Sequence, residues 1–253
     1  MRVKKQKPQR GAGMEGWVAR WYARTRRNDM EDFRHQARAV AARLHTGSSV
    51  LEVAPGPGLF AVELAKLGDF GITGLDISRT FVEIAKENAR NAGVKVDFRV
   101  GNASSLPFPD EFFDFIYCAA AFKNFAAPVK ALDEMHRVLR PRGEALVVDL
   151  RKDVPLDELE TYLKQSGRSR FDAWLTKWIF RRMLIKRAYT REEFLGMAEQ
   201  SCFGACQITA SAIGYEVRFR KSPRSSPPPP DSGTVAVKPT PSPAAGSNSG
   251  LQA

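Results

Sequence analysis

The sequence predicts an α/β protein: a doubly wound, seven-stranded sheet, mostly parallel with an antiparallel last strand. Three features carry that expectation. Short apolar runs alternate with stretches of helical periodicity through residues 49–150. Ala145 to Leu150 is almost continuously apolar, which suits a strand buried on both faces. The last two runs are joined at Ile213-Gly214, a link so short that it permits only an antiparallel pair.

Each element follows from local signals. Residues 14–26 and 29–44 read as two helices ahead of the first strand, Ser49 to Val53, which Pro55, Gly56, Pro57 and Gly58 stop. Leu59 to Leu67 has helical spacing. The second strand runs from Gly71 to Ile77, and Ser78 caps a helix that carries Phe81, Ile84, Ala85 and Asn88 on one period. Val94 to Val100 alternates faces as a third strand, and Phe113 to Cys118 is a fourth. A helix from Ala126 to Leu139 is expected to end at Arg140-Pro141-Arg142-Gly143, before the fifth strand. The rhythm then breaks, for Leu156 to Ser166 and Phe171 to Tyr189 read as two helices with no strand between them. It resumes with a helix from Arg191 to about Cys202, capped by Thr190, and two strands, Gln207 to Ala212 and Tyr215 to Arg220.

Composition bounds the function. With 43% hydrophobic and 26% charged residues, the 253-residue chain is an ordinary globular mixture, which excludes a wholly disordered or fibrous protein. No apolar run approaches the ~18 residues of a membrane span, and the basic start MRVKKQKPQR is followed by no apolar stretch. Cys118, Cys202 and Cys206 are an odd set without a second CxxC or a His cluster, so neither a disulfide framework nor a metal site is expected. A reducing, cytoplasmic setting suits them. The tail from Ser222 carries eight of the 16 prolines and no aromatic residue, so 222–253 is expected to be disordered.

The net charge of +11 is uneven. Residues 1–45 sum to +8, residues 46–150 to −3 and residues 151–190 to +5. An acidic middle between basic flanks suggests an anionic partner: an acidic small molecule, a lipid surface or nucleic acid. Nucleic acid would engage the basic N-terminus, although no aromatic residue is interleaved with its first ten residues.

The stretch Val50-Leu51-Glu52-Val53-Ala54-Pro55-Gly56-Pro57-Gly58 is the most informative. Its glycines allow a backbone to approach a ligand closely, and the helix that follows opens with unpaired N–H groups. Asp76 lies 20 positions after Gly56, the spacing at which a carboxylate reaches ribose hydroxyls in a Rossmann-like nucleotide fold. A turn or helix-entry aspartate is the alternative. Gly101-Asn102-Ala103, after the third strand, offers an amide for an adenine edge or simply a turn. The run Gly56 to Ala61 also satisfies a dinucleotide GxGxxA pattern. Glu52 argues against that, because its carboxylate would repel a pyrophosphate and suits a cationic ligand, and so does the reversed last strand.

Four segments, VLEVAPGPG, GLDIS, GNASSLPFPDEFFDFIYCAAAF and EMHRVLRPRGEALVVD, resemble the class I S-adenosylmethionine-dependent methyltransferases, in particular the branch of the ubiquinone and menaquinone methyltransferases. The likeness extends over about 48–151, and the LPFPDEFFD and HRVLRPRGE strings are its most specific part. It implies S-adenosyl-L-methionine as cofactor and in-line methyl transfer to a small hydrophobic or anionic molecule. Glu52, Ala54, Gly56 and Gly58 would frame the methionine end, Asp76 with Ile77 the ribose, and Asn102 with Ala103 the adenine. Ala54 stands where many members have Gly, and Asn102 replaces the usual Asp. Ala119 to Phe125 would face the transferred methyl, which makes Ala119 a donor contact and Lys123, Asn124 and Phe125 acceptor contacts.

The resemblance also sets the expected organisation. A methyltransferase domain fills 1–221, with N-terminal helices over 14–45, a donor-binding half over 46–151, a helical lid insertion over 152–189, and the last helix and hairpin over 190–221. In the lid, Trp174 and Trp178 belong to an apolar stripe that either packs inward or covers a lipophilic substrate or an anionic membrane surface, and Arg182 falls within it. Methyl transfer needs alignment and exclusion of water more than a catalytic cluster. Tyr22 and His35, on the N-terminal helices, are the groups to test as a base. An RNA methyltransferase and a scaffold that binds the donor without turnover are the rival readings.

Overall fold

The structure is a computed structural model that describes residues 13–26, 29–155 and 187–223. The expected insertion therefore lies largely outside the described residues, with Trp174, Trp178 and Arg182, and so does all of the tail after Pro223. Two helices, α1 (Gly16–Arg26) and α2 (Met30–Ala41), precede the sheet. Then come β1 (Ser49–Val53), α3 (Leu59–Ala65), β2 (Gly71–Asp76), α4 (Arg79–Asn91), β3 (Asp97–Val100), β4 (Phe113–Ala119), α5 (Pro128–Val138), β5 (Leu139–Leu150), α6 (Arg191–Gln200), β6 (Gln207–Ala210) and β7 (Gly214–Arg220).

These strands form one seven-stranded sheet in the order β3-β2-β1-β4-β5-β7-β6. All neighbours from β3 to β5 are parallel, and β7 runs antiparallel to both β5 and β6. The order reverses between β1 and β4, so a crevice opens there beyond the carboxyl ends of the strands.

Strand pleating divides the core into two layers. Phe113, Ile116 and Cys118 of β4 turn towards α5 and α6, against Leu132, Met135 and Phe194. Phe115 and Tyr117 turn the other way, against Val40 of α2 and Phe60 of α3. Local caps end where expected: Ser78 Oγ accepts from Phe81 N–H, and Thr190 and Glu193 complete a capping box on α6.

The expected break at Arg140-Pro141-Arg142-Gly143 is a correction. Helix α5 ends at Val138 and the chain passes directly into a 12-residue β5. The Pro and Gly are accommodated because pairing with β4 shifts register between Phe113 and Phe115, while Arg142 takes the left-handed conformation at φ 68°. Leu139 pairs with Phe113, and Glu144 next pairs with Phe115. At the other end of β5, Arg151 is bridged to Tyr189, so residues 152–188 begin and end at one place on the sheet.

Candidate functional site

At the carboxyl ends of β1 and β2, two carboxylates are buried beside each other. Glu52 is 5% exposed and Asp76 6%. Glu52 Oε2 accepts one hydrogen bond, from Ala61 N–H at 3.2 Å. Asp76 accepts from Gly56 N–H at 2.9 Å and from Ser78 N–H at 2.8 Å. Burial pushes the Glu52 carboxyl up to about 8; the Ala61 bond opposes the rise and the charge of Asp76 adds to it. Burial likewise raises Asp76 above its usual range, against its bonds to Ser78 and Gly56. Such a pair gains from a ligand that brings positive charge to one carboxylate and hydroxyl donors to the other.

The turn between them divides its labour. A Cβ on Gly56 would meet nothing within 4 Å, so this residue borders open space. A Cβ on Gly58 would lie 2.6 Å from Phe98 and 2.7 Å from Ala85, so this glycine serves close packing of α3 and α4 against the sheet. Both have positive φ, and so does Ala54 at 57°, which explains why a glycine suits that position. The expected supply of free N–H groups from α3 is smaller than anticipated. The helix has only seven residues, and Ala61 N–H is taken by Glu52.

Ile77 follows Asp76 with 49% of its surface exposed, an apolar patch on the lip of the cleft. Asn102 is exposed, and its Oδ1 accepts from Ser104 N–H at 2.9 Å in a local turn; Ala103 beside it is half-buried. Ala119, at the end of β4, is half-buried and precedes Ala120, which turns the chain at φ 56°.

Beyond that turn the chain is aromatic, with Phe122 fully buried in the core. Phe122 packs against Phe125, Tyr189 and Phe194 with ring centroids 5.2, 6.0 and 5.7 Å away. Asn124 is exposed and Phe125 half-buried. Lys123 is buried: its Nζ lies 2.7 Å from Asp149 Oδ1, and its N–H donates to Asp149 Oδ2 at 2.8 Å. The two weak base candidates are far apart in role. Tyr22 is held edge-on to Phe81 in the seam of α1 and α4, whereas His35 is exposed on α2. Asp149 was missed in the sequence, because it carries no local motif, whereas Tyr189 was read only as the end of an apolar stripe.

The N-terminal segment reaches the same lip. Ser78 Oγ donates to the Met14 carbonyl at 2.6 Å, and the Glu15 carboxylate accepts from Arg79 and Thr80 N–H. A separate broad groove at the amino ends of the strands is lined by Arg43, Arg140, Arg142 and Arg218 with Asp114 and Glu144. Arg140 there pairs with Asp114 and Arg43 with Glu144. That groove lies at the wrong end of a doubly wound sheet to be the nucleotide site.

Residues 51–147 match the model of a methyltransferase domain family. That stretch lies within a fold similar to that of the class I S-adenosylmethionine-dependent methyltransferases. The demethylmenaquinone methyltransferase of Deinococcus radiodurans is 36% identical over 115 residues, which cover 45% of this chain and 48% of that protein. The ubiquinone/menaquinone biosynthesis C-methyltransferase UbiE of Escherichia coli is 37% identical over 112 residues, or 43% of this chain and 45% of the relative. The chain thus spans about half the length of the curated relatives it matches. A Methanococcus maripaludis protein assigned to the S-adenosyl-L-methionine-dependent methyltransferases shares the fold with a TM-score of 0.65 at 18% identity, covering 82% of this chain and 94% of its own.

The similar proteins use S-adenosyl-L-methionine, and the chemistry of the residues here suits that cofactor. Glu52 could offer a carboxylate to its cationic methionine end and Asp76 could take its hydroxyl donors, with the open face of Gly56 nearby.

Proposed function

We propose that the protein is an S-adenosyl-L-methionine-dependent methyltransferase acting on a small hydrophobic acceptor of the quinone type. The observation that carries this reading is the buried pair Glu52 and Asp76 beside the open face of Gly56. Glu52 would hold the amino group of the donor, Asp76 the two ribose hydroxyls, and Ile77 with Ala103 would give the adenine an apolar bed. When bound, the donor supplies a methyl group on a sulfonium, already activated for in-line displacement.

The chain's own work is then to orient and to exclude water. Ala119 and the turn at Ala120 bring the aromatic segment of Phe122 and Phe125 towards the donor. Lys123, the one cation in that segment, is committed to Asp149, so the segment favours a hydrophobic acceptor over an anionic one. Names of the two matched relatives point to quinones as the acceptor class. The domain boundaries expected above, with a lid over 152–189, belong to the same proposal.

Calorimetry with S-adenosyl-L-methionine and its demethylated product is the direct test. Absence of binding at high micromolar concentration would overturn the reading. Labelled donor incubated with fractionated cell extract, followed by identification of the labelled product, would name the acceptor.

A further inference from the structure

Helix α1 packs with its small residues and turns its large ones outward. Ala19 and Ala23 are buried, with Phe81 of α4 in the same cluster, while Trp17 is 77% exposed and Trp21 61%. This inverts the usual arrangement of a surface helix, whose largest apolar side chains face the core. The two indoles are four residues apart and so stand one above the other. Arg20 and Arg24, both exposed, continue the same stripe at i+3 and i+7. The sequence GWVARWYARTR contains three arginines and no acid. Arg26 is engaged by Asp29 at 2.6 Å and lies over the Phe33 ring, whereas Arg20 and Arg24 form no ion pair among the described residues.

We propose that this face of α1 is an interfacial anchor that seats the protein on an anionic lipid surface. Indoles prefer the boundary between headgroups and acyl chains, and guanidinium groups beside them meet lipid phosphates. The position of the helix gives the docking a purpose. Residues 14 and 15 are bound to Ser78, Arg79 and Thr80, two to four positions after Asp76, so the anchor adjoins the lip of the proposed donor cleft. A hydrophobic acceptor would reach the site from the lipid without crossing water. That use rests on the methyltransferase reading; the docking itself does not.

Other occupants fit less well. A second copy of the helix would set Arg20 and Arg24 against like charges. A nucleic acid strand needs a groove that tracks its backbone, and a single three-turn helix offers a convex face instead.

The test uses the full chain and vesicles rich in phosphatidylglycerol, with phosphatidylcholine vesicles as the control, read by co-sedimentation and by the tryptophan emission shift. The expected result is binding to the anionic vesicles that weakens with salt and falls about tenfold or more in Trp17→Ala/Trp21→Ala and in Arg20→Glu/Arg24→Glu. Melting temperature and donor affinity should hold in both variants, since the buried face of α1 is unchanged. Equal vesicle binding by wild type and both variants would overturn the proposal. Dimerisation or RNA retention that depends on the two tryptophans, without vesicle binding, would assign the face to that occupant instead. Vesicle binding without donor binding would keep the anchor and sink the enzyme.

Discussion

Lys123 and Asp149 form an ion pair of 2.7 Å with side chains only 4% and 1% exposed, in the turn that carries Phe122 and Phe125. Asp149 also accepts the backbone N–H of Lys123 and of Leu150, so it ties the turn after β4 to the end of β5. Removing one partner strands the other. Asp149→Ala should destabilise the fold by about 3–5 kcal/mol, and pairing it with Lys123→Met should recover much of that loss. Urea unfolding of the single and double variants measures both; additive losses would show that the two charges act independently.

Asp76→Asn tests the donor site with little change in shape. Loss of the carboxylate should weaken donor binding by about tenfold or more, because hydrogen bonds to charged groups contribute roughly 1.5–3 kcal/mol. Calorimetry on the folded variant decides it. A changed melting temperature with unchanged affinity would mark Asp76 as a residue of the turn alone.

Glu52 should make donor affinity depend on pH. Its carboxyl titrates at about 8 in the folded protein, and a cationic ligand favours the ionised form. Affinity should therefore rise towards pH 8 and level off above it, with a proton released on binding at neutral pH. Glu52→Gln should bind weakly at every pH.

The same group links stability to pH. Because the folded pKa lies above the ordinary glutamate value of 4.5, the folded state holds the proton more firmly than the unfolded chain. Its contribution is complete below pH 4.5 and declines as pH rises to about 8, at no more than about 1.4 kcal/mol per pH unit. Glu52→Gln should remove that decline, so its melting temperature should exceed that of wild type most at pH 8.

Gly56 and Gly58 should separate binding from folding. Gly58→Ala places a methyl 2.6 Å from Phe98 at φ 72°, and a loss of about 2–4 kcal/mol is expected from overpacking with backbone strain. Gly56→Ala has strain of only about 1–2 kcal/mol to bear and no steric conflict within the fold. It should fold and yet bind donor poorly. Equal effects from the two substitutions would deny Gly56 a place on the ligand.

The strand and helix order was legible because it depends on local signals: apolar runs, glycine turns, and caps such as Ser78 and Thr190. Boundaries were less so. Pro141 and Gly143 read as a break, but a register shift lets β5 run through them, and a register shift belongs to the pair of strands rather than to either one. Asp76 was marked by its spacing from Gly56, and Glu52 by its charge and by the resemblance. Asp149 was not, because it meets Lys123 across 26 residues without a motif between them. Trp17 and Trp21 escaped as well, since periodicity marks a stripe of residues without telling which side of the helix is buried.

Arg137 spans the two most distinctive stretches of the sequence. Its guanidinium donates to the carbonyls of Leu106 and Phe108 and to Asp110, while Glu134 accepts from Arg137 and from Leu106 N–H. LPFPDEFFD and HRVLRPRGE are therefore fastened to each other and not to the ligand cleft. What makes the chain recognisable is the joinery of its scaffold, and the surface proposed to select the acceptor is built from other residues. If the proposed site is right, substitutions over Ala119 to Phe125 should change acceptor preference while the clasp, and with it the sequence signature, stays whole.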